Sequence, residues 1–332
     1  MICNKQISTV QAVCKHSFTP VKRLHVLRRL VRECSQQANR RCRRYSGTPV
    51  QTKAAGDVFA LDFDGVMVDS EPEISSSAVA AAAEYWPEQF GSLDQATHDQ
   101  LRQNMRQVRP VLVNGVEALV MARMVLEDPG CVDTIIQDWQ CVLPATLNKW
   151  KIEQKDLQIF FEDFRNNLLQ NKEDEWVKRH VMYPGLEETL KACKYPWYIV
   201  TSRAKHRTLK LVDAMLDMQW PEDTPRLYCK LLPPNQRKIE TLQEILDKPM
   251  VKEQNATIHF VDDRYETVKA VAGEPSLSKV RVYMADWGYS TQAEKDAAKE
   301  TKGVRVISLT QFQELLNWGI LMGVDDGCGD DN

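Results

Sequence analysis

From Pro184 onward the chain alternates between short apolar runs and amphipathic stretches, and this alternation most limits what it can fold into. Apolar periodicity predicts helices over 186–194, 205–218, 237–246, 266–271, 292–299 and 311–316. Between them lie runs of strand length at 197–200, 227–229, 257–261, 280–284 and 304–308. Strands alternating with helices mean an α/β fold, a Rossmann-like doubly wound parallel sheet with helices on both faces. One further strand, 58–61, stands far upstream. Almost nothing in 73–180 reads as strand; 74–86, 94–107, 116–127, 132–141 and 155–170 all favour helix. The expected organisation is therefore a core formed by 56–72 and 182–322, interrupted after its first strand by an all-helical insertion, 73–181. Trp86, Trp139, Trp150 and Trp176, with Phe160 and Phe161, are the expected apolar core of that insertion.

Charge divides the 332-residue chain a second way. Residues 1–55 hold twelve Lys/Arg against one acid, Glu33, whereas the remainder holds 31 bases against 45 acids, a net −14. A leader rich in Arg and Ser and nearly free of acid has the composition of an organellar transit peptide. Leu24, Leu27, Leu30 or Val31, and Cys34 share one helical face, with Arg23, Arg28, Arg29 and Arg32 mostly off it, as in an amphipathic import helix. A basic nucleic-acid-binding arm or a disordered tail are the alternatives. The expected destination is the chloroplast, with the mitochondrion as alternative because Arg43-Arg44-Tyr45-Ser46 resembles a mitochondrial processing site. The leader's expected partner is the organellar import machinery. The acidic, Gly-rich end, 323–332, reads as disordered. No apolar run reaches the ~18–20 residues of a membrane-spanning helix, and a net −14 disfavours nucleic acid as a partner of the folded part. Nine cysteines, without CxxC or Cys/His metal spacing, predict neither a disulfide scaffold nor a zinc site.

In open α/β sheets, ligands bind beyond the carboxyl ends of the strands, so the residues following each strand matter most. After the first come Asp62-Phe63-Asp64-Gly65; residues i and i+2 of an extended chain share a face, which sends both carboxylates into one cleft. After the next core strand come Thr201-Ser202-Arg203, and after 257–261 come Asp262-Asp263. Four converging carboxylates repel unless a cation sits among them. Hard oxygen donors beside a phosphate suit Mg²⁺, and Lys238 offers a second positive charge. Simpler roles compete: Thr201 as a helix cap, Lys238 as a solvated helix residue, one of Asp262 and Asp263 as an N-cap. Arg203 and Lys205 are expected at the surface, and His180 and His259 are expected to be merely packed.

In order along the chain, Asp62-Phe63-Asp64-Gly65-Val66, Tyr198-Ile199-Val200-Thr201, Lys238 and Phe260-Val261-Asp262-Asp263 resemble the four motifs of the haloacid dehalogenase superfamily of phosphohydrolases. With Pro184-Gly185, the chain resembles the phosphoglycolate phosphatase and β-phosphoglucomutase-like branch, and within it plastid-targeted plant and algal members. The resemblance implies a Mg²⁺-dependent phosphatase of a small phosphorylated metabolite, phosphoglycolate or a sugar phosphate among the candidates. It implies Asp62 as nucleophile forming an aspartyl-phosphate, Asp64 as general acid and base, and Thr201, Ser202 and Lys238 as phosphate-binding groups. Mg²⁺ would take the Asp62 side chain, the Asp64 carbonyl and Asp263 directly, with Asp262 outside. The helical insertion resembles the family's cap, where Arg109, beside Arg106 and Pro110, is the expected contact to an anionic substrate. A sugar-phosphate mutase and a catalytically retired binding or regulatory protein are the alternative readings. The turn Asp286-Trp287-Gly288-Tyr289 reaches the same sheet edge and is expected to be a packed turn. Nothing in the sequence sets the oligomeric state.

Overall fold

Val58, Phe59, Ala60 and Leu61 carry no polar alternation, the mark of a strand covered on both faces. In the computed structural model, which describes residues 56–321, they form β1 (Asp57–Leu61) at the middle of the sheet. The expected leader and acidic tail lie outside the described residues. After β2 (Val68–Asp69) come α1 (Glu71–Tyr85), α2 (Pro87–Phe90), α3 (Gln95–Val108), α4 (Glu117–Glu127), α5 (Val132–Trp150), α6 (Gln154–Asn171) and α7 (Glu173–Lys178). The chain returns through β3 (Val181–Met182) and then alternates: α8 (Leu186–Ala192), β4 (Trp197–Val200), α9 (Lys205–Leu216), β5 (Leu227–Tyr228), α10 (Pro234–Asp247) and α11 (Pro249–Gln254). β6 (Thr257–Asp262), α12 (Tyr265–Ala272), β7 (Val280–Ala285), α13 (Gln292–Glu300), β8 (Val304–Ile307) and α14 (Leu309–Trp318) follow.

All neighbouring strands of the main sheet run parallel, in the order β5-β4-β1-β6-β7-β8. The chain moves outward from β1 through β4 to β5, then crosses back to β6 on the other side. That reversal opens a crevice at the carboxyl end of β1. Alternate residues serve opposite faces: Phe59 and Leu61 pack with Ile199, Leu216 and Phe312, whereas Val58 and Ala60 pack with Leu242, Phe260 and Val282.

The helical insertion has its own apolar cluster, running from Ile74 through Trp86, Leu119 and Trp139 to Phe161. Trp176 is an exception. Expected in that cluster, it is fully buried with Phe63, Met67 and Phe312 on one face of the sheet, because α7 already belongs to the chain's return toward β3. The helix expected over 132–141 runs on to Trp150 and breaks at Asp138 (φ −146°, ψ 42°) rather than at Pro144, the residue that signals a helix end. Both ends of the insertion pass through one antiparallel pair, with Val68 opposite Met182 and Asp69 opposite Val181. Among the described residues, no helix is long and apolar enough to cross a membrane.

Candidate active site

The chain leaves β1 through a tight loop. Asp62 donates its backbone N–H to Val261, and Gly65 N bonds to Val68 O (2.9 Å). Gly65 has φ +83°, and a Cβ there would stand 2.0 Å from Asp263 Oδ2, so only glycine lets the loop close over that carboxylate. Asp62 is 6% exposed; its Oδ1 accepts from Phe63 N (2.8 Å) and its Oδ2 lies 3.0 Å from Lys238 Nζ. Lys238, on the second turn of α10, is buried and also bonds Asp262 Oδ2 at 2.6 Å. A solvated helix role for Lys238 is thereby excluded.

Asp62, Asp262 and Asp263 bring carboxylate oxygens within 4.8 Å of one another, all buried. Burial pushes the Asp62 carboxyl up to about 7, assisted by Asp262, Asp263 and Asp64 against the pull of Lys238. Burial and Asp262 likewise push Asp263 up to about 6, against the Tyr289 N–H and the Arg109 and Arg264 charges. One ammonium does not neutralise this cluster. Crowded hard oxygens that resist ionisation together fit a small divalent cation such as Mg²⁺. Asp262 spends Oδ2 on Lys238 and Oδ1 on Arg264 N (2.9 Å), whereas Asp263 uses only Oδ2, on Tyr289 N (2.7 Å). Asp263 also lines the cleft with Asp62 and Asp64, and Asp262 does not.

Asp64 meets a partner the sequence did not signal. Arg203, expected at the surface, is buried, with Nη2 2.5 Å from Asp64 Oδ1 and Nε 3.0 Å from Oδ2. The turn between β4 and α9 aims it back into the cleft, where its Nη1 also donates to His180 Nε2 (3.2 Å). Burial pushes the Asp64 carboxyl up, but the Arg203 guanidinium outweighs it and holds the group well below the usual carboxylate range. His180 donates from Nδ1 to Trp176 O (2.9 Å), and burial with the Arg203 charge brings it down to about 4, so it stays neutral. It packs, as expected, but against the site. His259, also buried, bonds Asp57 at 2.9 Å at the opposite end of the strands. Lys205 is bonded to Glu222 O.

Thr201 is buried at the cleft floor, and its Oγ1 accepts from Arg203 N (3.2 Å). It does not cap α9, whose N-cap is Ala204; its hydroxyl proton is left to donate. Ser202 lines the cleft. Of the two insertion arginines, Arg106 turns away to Glu71 (3.1 Å), while Arg109 lines the cleft with its guanidinium 3.8 Å above the Tyr289 ring. Tyr289 is more than a packed turn residue. Its hydroxyl accepts from Ser70 N (2.6 Å) and Glu71 N (3.0 Å) and donates to Asp69 Oδ1 (2.7 Å). It thus joins the far side of the sheet to the start of the insertion. Gly288 makes this possible, since a Cβ there would lie 2.3 Å from Asp263 Cβ. Position after β7 was the only signal for Tyr289, and an aromatic in a Gly turn carries no periodicity that marks it further.

The insertion is fastened beside the same cleft by Glu73. Buried on α1, it binds Arg165 Nη2 (2.5 Å), Trp176 Nε1 (3.0 Å) and Ser77 Oγ (2.8 Å). Burial raises its carboxyl, but Arg165, His180 and Arg203 bring it down to about 2.

An α/β sheet with acids gathered at its switch point, under a helical insertion, defines the class of the molecule. No family model matches the chain, and no curated protein matches it. Among solved structures it is similar to a predicted phosphatase from Clostridium acetobutylicum, 11% identical over 79% of this chain and 98% of that one, TM-score 0.47. It is similar to a predicted phosphoglycolate phosphatase from Haemophilus somnus, 18% identical over 72% and 89%, TM-score 0.43. A haloacid dehalogenase-like family hydrolase from Streptococcus pneumoniae is 12% identical over 79% and 97%, TM-score 0.44.

Proposed function

We propose that the chain is a haloacid dehalogenase-like phosphatase, a Mg²⁺-dependent hydrolase of a small organic phosphate acting through an aspartyl-phosphate on Asp62. The observation that carries this reading is the buried Asp62 carboxylate, 3.0 Å from the Lys238 ammonium and open to a cleft of about 380 Å³. Asp62 attacks phosphorus and the ester P–O bond breaks, with Asp64 giving a proton to the departing alcohol. Asp64 then takes a proton from the water that splits the aspartyl-phosphate, releasing inorganic phosphate and the Asp62 carboxylate. The Thr201 hydroxyl, Ser202 and Lys238 hold the phosphoryl oxygens as their charge grows.

Asp62, Asp263 and the Asp64 carbonyl would hold Mg²⁺, with Asp262 one step out through its Lys238 bond. When bound, the cation screens the clustered carboxylates and the phosphoryl charge. To serve as the acid, Asp64 has to leave Arg203 and gain a proton; closure of the helical insertion over the substrate is the event that fits.

Hydrolysis of a panel of phosphate esters with and without Mg²⁺ tests the reading. Asp62→Asn is expected to abolish turnover, and Asp64→Asn to slow it by about 10²–10⁴-fold. Full activity in purified Asp62→Asn protein would overturn it. The same reading takes residues 1–55 as a chloroplast import leader, tested by fusing them to a fluorescent protein; a fusion that stays in the cytosol would refute that part alone.

A further inference from the structure

The cleft holds more positive charge than the Asp62 end uses. Lys238 is committed to Asp62 and Asp262, Arg203 to Asp64, and Arg165 to Glu73. Arg109 lies over the ring of Tyr289, whose backbone N–H bonds Asp263, and so stands at the phosphoryl end; Arg264 in the same lining donates Nη1 to Leu112 O. Arg207 is different. It sits on α9, lines the cleft and is 3% exposed. Its Nη2 pairs with Glu162, yet Nε and Nη1 are buried with no partner. A guanidinium has five N–H donors in a planar fork, so three of them are left unmet here.

Charge deepens the imbalance. Burial pulls the Arg207 guanidinium down to about 10, and the Arg165 and Arg203 charges add to that against Glu162. Glu162 is itself 39% exposed and is the one carboxylate bonded to Arg207. Lys230, on the loop after β5, is exposed at the rim of the same cleft. Leaving buried, charged donors unmet is costly, and a second oxyanion is what a planar N–H fork accepts.

We propose that Arg207, with Lys230 at its rim, forms a second anion site in the cleft, so that the substrate is a phosphate ester whose alcohol portion carries a further anionic group. Carboxylate and phosphate share the chemistry this site reads. The kinetic arm of the test rests on the phosphatase reading; the binding arm does not.

Three esters of one chain length separate the sources: propyl phosphate, 3-phosphooxypropanoate and propane-1,3-diyl bisphosphate. In the wild-type protein kcat/KM is expected to favour one or both doubly anionic esters over propyl phosphate by about 10–100-fold, the range of charged hydrogen bonds. Arg207→Met is expected to collapse that ratio toward one, and Lys230→Met, at an exposed position that does not threaten folding, to lower it several-fold. Whichever of carboxylate and phosphate gives the larger ratio identifies the second group. Calorimetric titration of Asp62→Asn protein with the bisphosphate and with propyl phosphate gives the same comparison without turnover. Equal handling of all three esters by the wild type, or a ratio unchanged in both variants, would overturn the site and leave buried water as the partner of Arg207. Failure to hydrolyse any ester would sink the phosphatase reading, while the titrations would still decide the anion site.

Discussion

Arg203 grips Asp64 by both carboxylate oxygens, at 2.5 and 3.0 Å, across 139 residues of sequence. The carboxyl proposed as the proton donor is thus stored as the ionised partner of a buried cation. A depressed carboxyl contributes stability above its unfolded value near 4 and loses it only as pH falls through the folded value, so the pair persists across any ordinary assay. Under the proposed mechanism, the resting and reacting arrangements of Asp64 differ.

Arg203→Met takes away the strongest pull on the Asp64 carboxyl and leaves only the weaker ones of Ser70 and Arg109, so desolvation then raises its protonation toward the assayed range. The pH dependence of kcat is expected to gain or shift a limb upward by at least one pH unit. A lowered kcat with an unmoved profile would mean that Arg203 only packs.

The carboxylate cluster sets a different pH dependence. Asp62 and Asp263 are raised to about 7 and 6, so their contribution to stability is full below about 4 and is lost as pH rises through those values. Mg²⁺ is expected to raise the Tm by several degrees at pH 8 and by much less at pH 5. Equal shifts at both pH values, measured against EDTA-treated protein, would count against the cluster as the cation site.

Because Asp62 is crowded by like charges, Asp62→Asn is expected to abolish turnover while raising the Tm of Mg²⁺-free protein at pH 8. A Tm several degrees lower would show instead that the Lys238 pairing outweighs the repulsion from Asp262 and Asp263.

Glu73 and Arg165 are both buried, so removing one charge strands the other. Glu73→Gln is expected to cost roughly 3–5 kcal/mol in urea unfolding. A loss below about 1 kcal/mol would mean that the Trp176 and Ser77 contacts alone fasten the insertion.

Tyr289→Phe removes the acceptor of the Ser70 amide at the start of α1, while the Glu71 amide keeps Asp69 Oδ1 at 3.0 Å. Hydrogen exchange at Ser70 is expected to quicken about tenfold or more, the scale of a lost buried hydrogen bond, while Glu71 and the amides of the β1–β6 ladder keep their protection. Unchanged exchange at Ser70 would mean that the tyrosine hydroxyl does not fasten the start of α1.

Elements with their own local signature were legible in the sequence. The strands at 58–61, 197–200 and 257–261 are apolar throughout, and the residues ending them, Asp62, Thr201, Asp262 and Asp263, lie where an α/β crevice must be. Lys238 was legible by its place at the head of a helix after Pro233-Pro234. What escaped depends on contacts between distant segments. Arg203 reads as an exposed basic residue until Asp64 is brought beside it, and Trp176 reads as insertion core until α7 is seen to turn under the sheet. Tyr289 meets Asp69 across 220 residues, and no periodicity encodes that meeting.

The position of β1 between β4 and β6 has a consequence for how the chain is made. Trp197 and Thr257, which open those two neighbours, follow Asp57 by 140 and 200 residues. At ~5–20 residues per second on the ribosome, the first of them emerges roughly seven to thirty seconds after β1. In that interval the helical insertion can complete its own apolar cluster, while Val58–Leu61 has no ladder to join. The strand that delivers Asp62 is the first core segment synthesised; it gains its first neighbour only after 140 further residues and its second after 200.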